Sequence, residues 1–189
     1  MFSDIICEQL VKRKIGPKQM VIAAVIVSVG LIISLFLRAL GIVVDRTLGM
    51  MGIFLFAIGI FVTIYFVRFF IFVEYEYSFV NGELTIDRIS AKSKRKHMMD
   101  VAVKSFEKIG KYEPEKVKNL NVDTVRDYSA DPYASDAVYA YYKDGSGRKI
   151  LLIFSPNEKL IGSIKPYVNG MMFREAFPNF KSASKPIEQ

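Results

Sequence analysis

The sequence predicts a two-helix membrane hairpin followed by an α+β, mainly β, domain that forms an antiparallel barrel or sandwich with a C-terminal helix. Three patterns predict this order. Two long uncharged segments come first, strands with turn signals follow, and an amphipathic helical pattern comes last. The charges agree with this division, because residues 1–70 carry only 10 of the 45 charged side chains. A single soluble globule and a disordered chain are therefore excluded.

The two uncharged segments are residues 19–37 and 47–67. Each has about the 20 residues that a helix needs to cross a bilayer. Neither has a polar face, and the rest of a 189-residue chain is too small to bury both in a soluble core. The first segment is followed by Arg38, Ala39 and Leu40 rather than by a small-residue cleavage site. We therefore interpret it as a retained anchor and not as a signal peptide.

The short connection between the segments, residues 38–46, predicts that both chain ends lie on the same side of the membrane. That connection holds two basic residues, whereas the outer flanks hold many more. The flanking basic residues are Lys12, Arg13, Lys14, Lys18, Arg68, Arg88, Lys92, Lys94, Arg95 and Lys96. This asymmetry predicts a multi-pass protein of the plasma (cell) membrane with cytoplasmic N- and C-termini.

The interior of the hairpin shows what kind of membrane protein to expect. Neither segment contains a charged residue, a histidine or a proline, which argues against a transporter or pump built from this chain alone. Small residues recur along each helix and predict close packing within the hairpin, in preference to dimerisation. They are Ala24 and Ser28, Gly30 and Ser34, and Gly52 and Gly59.

The polar part of the chain has alternating patterns typical of strands. Residues 71–80 and 83–90 flank Asn81-Gly82, a strong signal for a two-residue hairpin turn. Further strands are predicted at 105–112, after a corner at 101–104, and in a second hairpin at 137–142 and 149–154. The irregular segment 113–136 is predicted to contain only a short strand or turn at 123–127.

A C-terminal helix is predicted from a capping box, in which Ser155 caps, Pro156 takes the first position and Glu158 follows. Its apolar face would comprise Leu160, Ile161, Ile164 and Val168. The predicted domains follow from these elements. They are a cytoplasmic N-terminal segment at 1–17, the hairpin at 18–69, the β-domain with its helix at 70–178 and a flexible tail at 179–189.

Candidate chemistry is sparse. His97 is the only histidine and lies in a basic strand without a nucleophile motif, so we interpret it as an exposed strand residue. Cys7, the only cysteine, is either an ordinary reduced thiol or a palmitoylation site. The loop acids lack the order of a calcium loop; they are Asp123, Asp127, Asp131 and Asp136. We therefore predict no enzyme activity, catalytic residue, metal or cofactor, and the small net charge of the polar part argues against nucleic-acid binding.

One basic cluster suggests a possible function, contact with anionic lipid. It comprises Lys92, Lys94, Arg95 and Lys96. A cationic loop near a cytoplasmic leaflet gains about 1 kcal/mol per charge from anionic lipid. The same residues could equally form a solvated turn that serves only as a topology signal. The sequence leaves both interpretations open.

Residues 75–101, YEYSFVNGELTIDRISAKSKRKHMMDV, carry a resemblance to a known group. From about residue 18 to 177 the chain resembles bacterial membrane proteins in which a two-helix hairpin precedes a bacterial PH-like (bPH) domain. It is also similar to an uncharacterised family of hairpin-plus-β proteins from Gram-positive anaerobes. The resemblance implies a PH-like fold for the β-domain and suggests binding of lipid headgroups.

Two functional hypotheses follow. In the first, the β-domain is a non-enzymatic interaction module that binds a partner protein or its own copies at the membrane. In the alternative, the chain senses an anionic lipid surface through the basic loop at 92–96.

Overall fold

A computed structural model describes residues 6–44, 46–131 and 136–180. Its contacts divide the chain into two compact units. The helical unit comprises Ile15–Val73 and Ser90–Lys94. The β unit comprises the segments Met1–Lys14, Glu74–Ile89 and Arg95–Gln189.

The helical unit contains helices α1 (Pro17–Val44) and α2 (Arg46–Ile71). Among the described residues, Gln19–Phe36 is long and apolar enough to cross a membrane, and Phe56–Phe69 forms a shorter apolar stretch. The predicted nine-residue connection is wrong, because α1 continues to Val44 and α2 begins at Arg46. No proline interrupts residues 38–44, so the helix continues past Arg38.

Small residues set the contact between α1 and α2. A side chain placed on Gly30 would collide with Thr63, and one on Gly59 would collide with Ser34. The predicted close packing is therefore confirmed for Gly30, Ser34 and Gly59. Ala24 and Ser28 are exposed instead, and the surroundings of Gly52 lie outside what the structure describes.

The first sheet has the strand order β1-β2-β3-β4. Its strands are β1 (Ile6–Lys12), β2 (Val73–Val80), β3 (Glu83–Ser90) and β4 (Lys94–Ala102). The predicted two-residue turn is confirmed, since Asn81 and Gly82 have φ values of 49° and 93°. Strand β1 was not predicted from sequence; it pairs antiparallel with β2, with Cys7 opposite Phe79.

The second sheet has the order β5-β7-β8-β6. Its strands are β5 (Phe106–Lys111), β6 (Thr124–Asp127), β7 (Val138–Lys143) and β8 (Lys149–Phe154). A 3₁₀ turn at Val103–Ser105 connects β4 to β5. It overlaps the corner that the sequence predicts at 101–104.

Of the predicted antiparallel barrel or sandwich, the closed barrel is wrong, and so is the expectation that every strand pair is antiparallel. The described strands form two separate sheets that do not close, and β6 pairs with β8 in parallel. The reason lies in the connection after β5, where α3 (Pro114–Val117) and the residues that follow carry the chain to the far edge of the sheet. A parallel pair needs such a crossover, which no hairpin signal in the sequence can reveal.

The core fills the space between the sheets, where the rings of Tyr77 and Phe154 meet edge to face at 5.9 Å. A second cluster covers the other face of the second sheet; it comprises Val117, Ala137, Tyr141, Leu151 and Ile153. Strand β8 is thus buried on both faces, which explains its continuous apolar run.

The C-terminal part is two short helices, α4 (Glu158–Ile164) and α5 (Gly170–Ala176), and not the single predicted helix. Pro166 lies in the 3₁₀ turn that separates them. The predicted Ser155 cap is also wrong. The Asn157 side chain accepts from the Leu160 amide, whereas Ser155 is buried and its hydroxyl accepts from another segment. From residue 181 onward the predicted tail lies outside the described residues.

Candidate functional site

The basic turn, Ser90–Lys94, is part of the helical unit. Ala91 and Lys92 have left-handed φ values of 50° and 60°, which bend the chain tightly. The Ala91 amide donates to the carbonyl of Phe72 over 2.9 Å, and the Phe72 amide donates to the carbonyl of Arg68 over 3.1 Å. These bonds hold the basic turn at the C-terminal end of α2.

Two of the four predicted lipid-contact residues belong to this turn. Lys92 is exposed, and the Lys94 ammonium lies 6.0 Å from the ring centroid of Phe69, at the end of α2. That distance is typical of a cation–π contact. Lys94 is therefore ordered by the helix end while its charge stays accessible to solvent.

The other two predicted residues, Arg95 and Lys96, belong to the β unit. The Arg95 guanidinium forms an ion pair with Glu76 and lies 3.8 Å from the carboxylate of Asp87. Two acids thus offset its charge, whereas Lys96 is simply exposed. The structure therefore does not present the predicted cluster as four equivalent cations.

His97 lies between two carboxylates on the surface of the first sheet. Its Nδ1 is 3.0 Å from Asp87, and its Nε2 is 3.0 Å from Asp100. Asp100 also accepts a hydrogen bond of 2.7 Å from the Thr85 hydroxyl. The imidazole is exposed, as predicted, and both of its nitrogens face acids rather than a serine or cysteine nucleophile.

A polar cluster surrounds Arg13, a residue for which the sequence indicates only a role as a topology signal. The Arg13 guanidinium binds Asp127 at 3.0 Å and the Tyr75 hydroxyl at 2.8 Å. Asp127 also accepts from the amide and hydroxyl of Ser129. This cluster ties the residues just before α1 to β6. The partners are 114 positions apart, so no local pattern could have found them.

A second network joins the two sheets through Tyr77. Its hydroxyl donates to the Tyr128 carbonyl over 2.6 Å and accepts from the Ser155 amide over 3.2 Å. Burial raises the pKa of Tyr77 above its ordinary value. The Gln9 side chain binds the carbonyl of Ser155 and the amide of Asn157, so β1 is fixed to the start of α4. Cys7, on the same strand, is buried and inaccessible to modification in the folded chain.

The described residues line several cavities. One, of about 560 Å³, lies between β5, β7 and the C-terminal helices and includes Gly110, Tyr139 and Glu175. A second, of about 370 Å³, lies beside Met99 and Arg126. The helical unit has an apolar groove of about 190 Å³ between α1 and α2. Within the described part of the chain, no three His, Cys, Asp or Glu side chains are arranged to hold a metal ion.

Comparison with known proteins identifies a matching family. A family model described as "Bacterial PH-like domain (DUF6106)" matches residues 3–174, which includes the helical hairpin as well as both sheets. No curated protein and no solved structure matches the chain.

Proposed function

The chain belongs to the bacterial PH-like domain family (DUF6106), and from that premise we propose an integral membrane protein that presents a non-enzymatic interaction module. The module faces the cytoplasm at the plasma membrane and binds a partner protein or another copy of the chain. Its hairpin spans the bilayer twice, with both termini cytoplasmic, and nucleic acid is not a ligand. One observation carries the proposal: the outward surface of the hairpin is apolar on both helices.

That surface is larger than a soluble protein exposes. Monomeric soluble proteins rarely show contiguous apolar patches above a few hundred Å². Here large exposed apolar side chains follow α1 and α2 along their described lengths; they include Met20, Ile22, Val25, Ile32, Leu35, Phe36, Val43, Phe54, Ile58, Phe61, Ile64 and Phe66. Lipid is the solvent that such a surface fits.

The β unit offers an edge for a partner. Strand β6 ends the order of the second sheet, and Val125 on it is 59% exposed. An open strand edge pairs readily with a strand from another chain, and an exposed apolar side chain adds specificity. These features support binding of a protein partner or of a second copy.

Membrane insertion is tested with Ile32→Arg in the full chain, because Ile32 is 66% exposed on α1. In lipid the arginine costs about 2.5–3.5 kcal/mol at a helix centre, whereas on a water-exposed helix it would be harmless. We expect the variant to leave the carbonate-resistant membrane fraction and Ile32→Leu to stay there. An unchanged distribution for Ile32→Arg would refute insertion.

Topology is tested by thiol labelling in a Cys7→Ala background. We expect Val43→Cys, at the end of α1, to react with an impermeant maleimide in intact cells. Lys104→Cys, exposed on the β unit, should react only after the membrane is permeabilised. The reverse pattern would place the termini outside the cytoplasm.

Partner binding is tested by affinity purification of the full chain in mild detergent. We expect a stoichiometric second protein or a defined oligomer, and we expect Val125→Lys on the β6 edge to weaken it. Met171→Lys, which makes the same apolar-to-charged change at an exposed position of α5, is the matched control. A monomer without partners would contradict the interaction role.

The alternative function is sensing of anionic lipid through residues 92–96. Exposed Lys92 and Lys94 at the end of α2 support it, while the ion pairs of Arg95 weaken it. Hydrogen exchange of residues 91–96 in nanodiscs tests it. Sensing requires that phosphatidylglycerol protect these amides and that Lys92→Gln/Lys94→Gln remove the protection, with Lys104→Gln/Lys108→Gln as control. Equal exchange with and without phosphatidylglycerol would exclude it.

A further inference from the structure

The apolar groove between α1 and α2 has a charged end. Its walls are Val27 and Leu31 from α1, and Ile60, Thr63, Ile64 and Val67 from α2. Thr63 is the one hydroxyl in this set, and it donates its proton to the Gly59 carbonyl over 2.8 Å. The groove therefore presents hydrocarbon to a ligand. At one end it is bounded by Arg68, which is exposed.

Positive charge accumulates at this end of the helical unit. Arg68 has no Asp or Glu within ion-pair distance among the described residues, and the basic turn is hydrogen-bonded to the helix end one turn after it. Lys94, over the ring of Phe69, and exposed Lys92 add two more cations. By sequence the unit contains a single acid, Asp45, which is outside the described residues. Among the described residues of the unit, no acid compensates the charge at the groove end.

We propose that this groove binds one acyl chain of an anionic phospholipid whose phosphate group contacts Arg68 and the lysines of the basic turn. The inference rests on the proposed membrane insertion, and it names a specific lipid site on the hairpin. Arginine suits this position because its apolar stem lies along hydrocarbon while its guanidinium reaches the headgroup level. The fork of the guanidinium also matches phosphate oxygens.

Charge complementarity selects this occupant over a second copy of the chain. Two copies inserted in one membrane share the same orientation, so a second hairpin in the groove would bring its own Arg68, Lys92 and Lys94 to the same level. Like charges at that level would oppose association. A phosphate group instead brings a negative charge to these three cations and reduces their mutual repulsion.

The test measures lipid retained by the purified full chain. The chain is reconstituted with phosphatidylcholine and phosphatidylglycerol of identical acyl chains, extracted in mild detergent and weighed by native mass spectrometry. We expect retained phosphatidylglycerol in preference to phosphatidylcholine. Arg68→Gln should lower its retention about fivefold, since one basic side chain contributes about 1 kcal/mol toward anionic lipid. Arg68→Lys should retain more phosphatidylglycerol than Arg68→Gln.

Two further variants separate the groove from general charge. Arg38→Gln removes the same charge from an exposed position near the other end of α1 and should leave retention unchanged. Ile64→Trp fills the groove without changing charge and should reduce retention. Equal retention of both lipids, or wild-type retention by Arg68→Gln, would overturn the proposal. The Ile32 variants test membrane insertion separately. If they show that the chain is inserted, such a result refutes only this lipid site and not the proposed membrane anchoring.

Discussion

Ser34 in α1 packs against the backbone of Gly59 in α2, at a point where the helices leave room only for a glycine. The Ser34 side chain is fully buried, and its hydroxyl donates to the Gly30 carbonyl over 2.8 Å. The same arrangement recurs with the helices exchanged, since Thr63 packs against Gly30 and donates to the Gly59 carbonyl. Each helix thus contributes a pair of small residues spaced four positions apart, Gly30 and Ser34 in α1 and Gly59 and Thr63 in α2. Contacts between the two pairs fix the register of the antiparallel hairpin.

Gly59→Ile is expected to destabilise the hairpin by about 1–3 kcal/mol, because the larger side chain overlaps Ser34 and pushes the helices apart. Thermal unfolding of the full chain in detergent, followed by circular dichroism, measures the change. Ala57→Ile adds similar bulk at an exposed position of the same helix and should have little effect. Equal destabilisation by both variants would show that the contact with Ser34 does not set the packing.

Asp127→Ala is expected to destabilise the β unit by about 1–3 kcal/mol, since it leaves the largely buried Arg13 guanidinium without its counter-ion. The amide and hydroxyl of Ser129 lose their acceptor as well. Chemical denaturation followed by tyrosine fluorescence measures the loss. Amide exchange in β1 should also rise, because Arg13 directly follows that strand.

Lys14→Gln is the matched control for the Asp127 variant. The Lys14 side chain is 72% exposed and lies 3.6 Å from Asp131, so the pair is worth little. We expect a change below about 0.5 kcal/mol. A loss as large as that of Asp127→Ala would mean that any basic charge before α1 stabilises the unit, and not the specific Arg13 cluster.

The features that the sequence predicted well are encoded within a few residues of each other. Asn81-Gly82 requires left-handed backbone at two neighbouring positions and is found there. The hairpin of β7 and β8 follows from two apolar runs around a polar turn. The apolar helices follow from composition alone. Each of these signals is local, so one sequence suffices to detect it.

The features that the sequence does not predict depend on partners that are distant along the chain. Strand β1, ICEQLVK, has no regular alternation of apolar and polar residues, and it becomes a strand because β2, more than 60 residues later, offers an edge. Strand β6 was placed near its position, but its parallel partner depends on a crossover. Ser155 satisfies a capping pattern, yet its hydroxyl accepts a hydrogen bond from the Ala130 amide of another loop. Asn157 caps the helix instead. Tertiary contacts override local propensity at each of these sites.

Tyr77→Phe is expected to cost about 1–3 kcal/mol of unfolding free energy, because it leaves the Tyr128 carbonyl and the Ser155 amide without a partner. Equilibrium denaturation measures this cost. Tyr142→Phe, which also alters a buried tyrosine of the core, provides a comparison. If the two variants lose the same unfolding free energy, the hydrogen bonds of the Tyr77 hydroxyl do not contribute more to stability than an ordinary tyrosine hydroxyl of the core.

The pH dependence of the same tyrosine gives a separate prediction. Burial raises the pKa of Tyr77 in the folded state, so the unfolded chain releases this proton first as pH rises past about 10. The folded state therefore loses stability from that pH upward. Denaturation curves should show a steeper alkaline decline for the wild type than for Tyr77→Phe. Parallel declines would contradict the assignment.

Asp144 controls the turn between β7 and β8. One carboxylate oxygen accepts from the Ser146 hydroxyl over 2.6 Å and from the Ser146 amide over 2.9 Å. It also accepts from the Arg148 amide, and the other oxygen binds the Arg148 guanidinium at 2.8 Å. These bonds, with that of the Ser146 hydroxyl foremost, hold the pKa of Asp144 below its ordinary value.

Because the pKa of Asp144 is lower in the folded than in the unfolded state, its carboxylate stabilises the fold fully above about pH 4. This contribution is lost as pH falls further and the carboxylate becomes protonated. Ser146→Ala should raise the pKa of Asp144 toward its ordinary value, which an NMR titration of the side-chain carboxyl measures directly. Ser105→Ala, which alters a hydroxyl bonded to a backbone carbonyl, should leave that pKa unchanged. An equal pKa of Asp144 in wild type and Ser146→Ala would mean that Arg148, and not Ser146, keeps the carboxylate ionised.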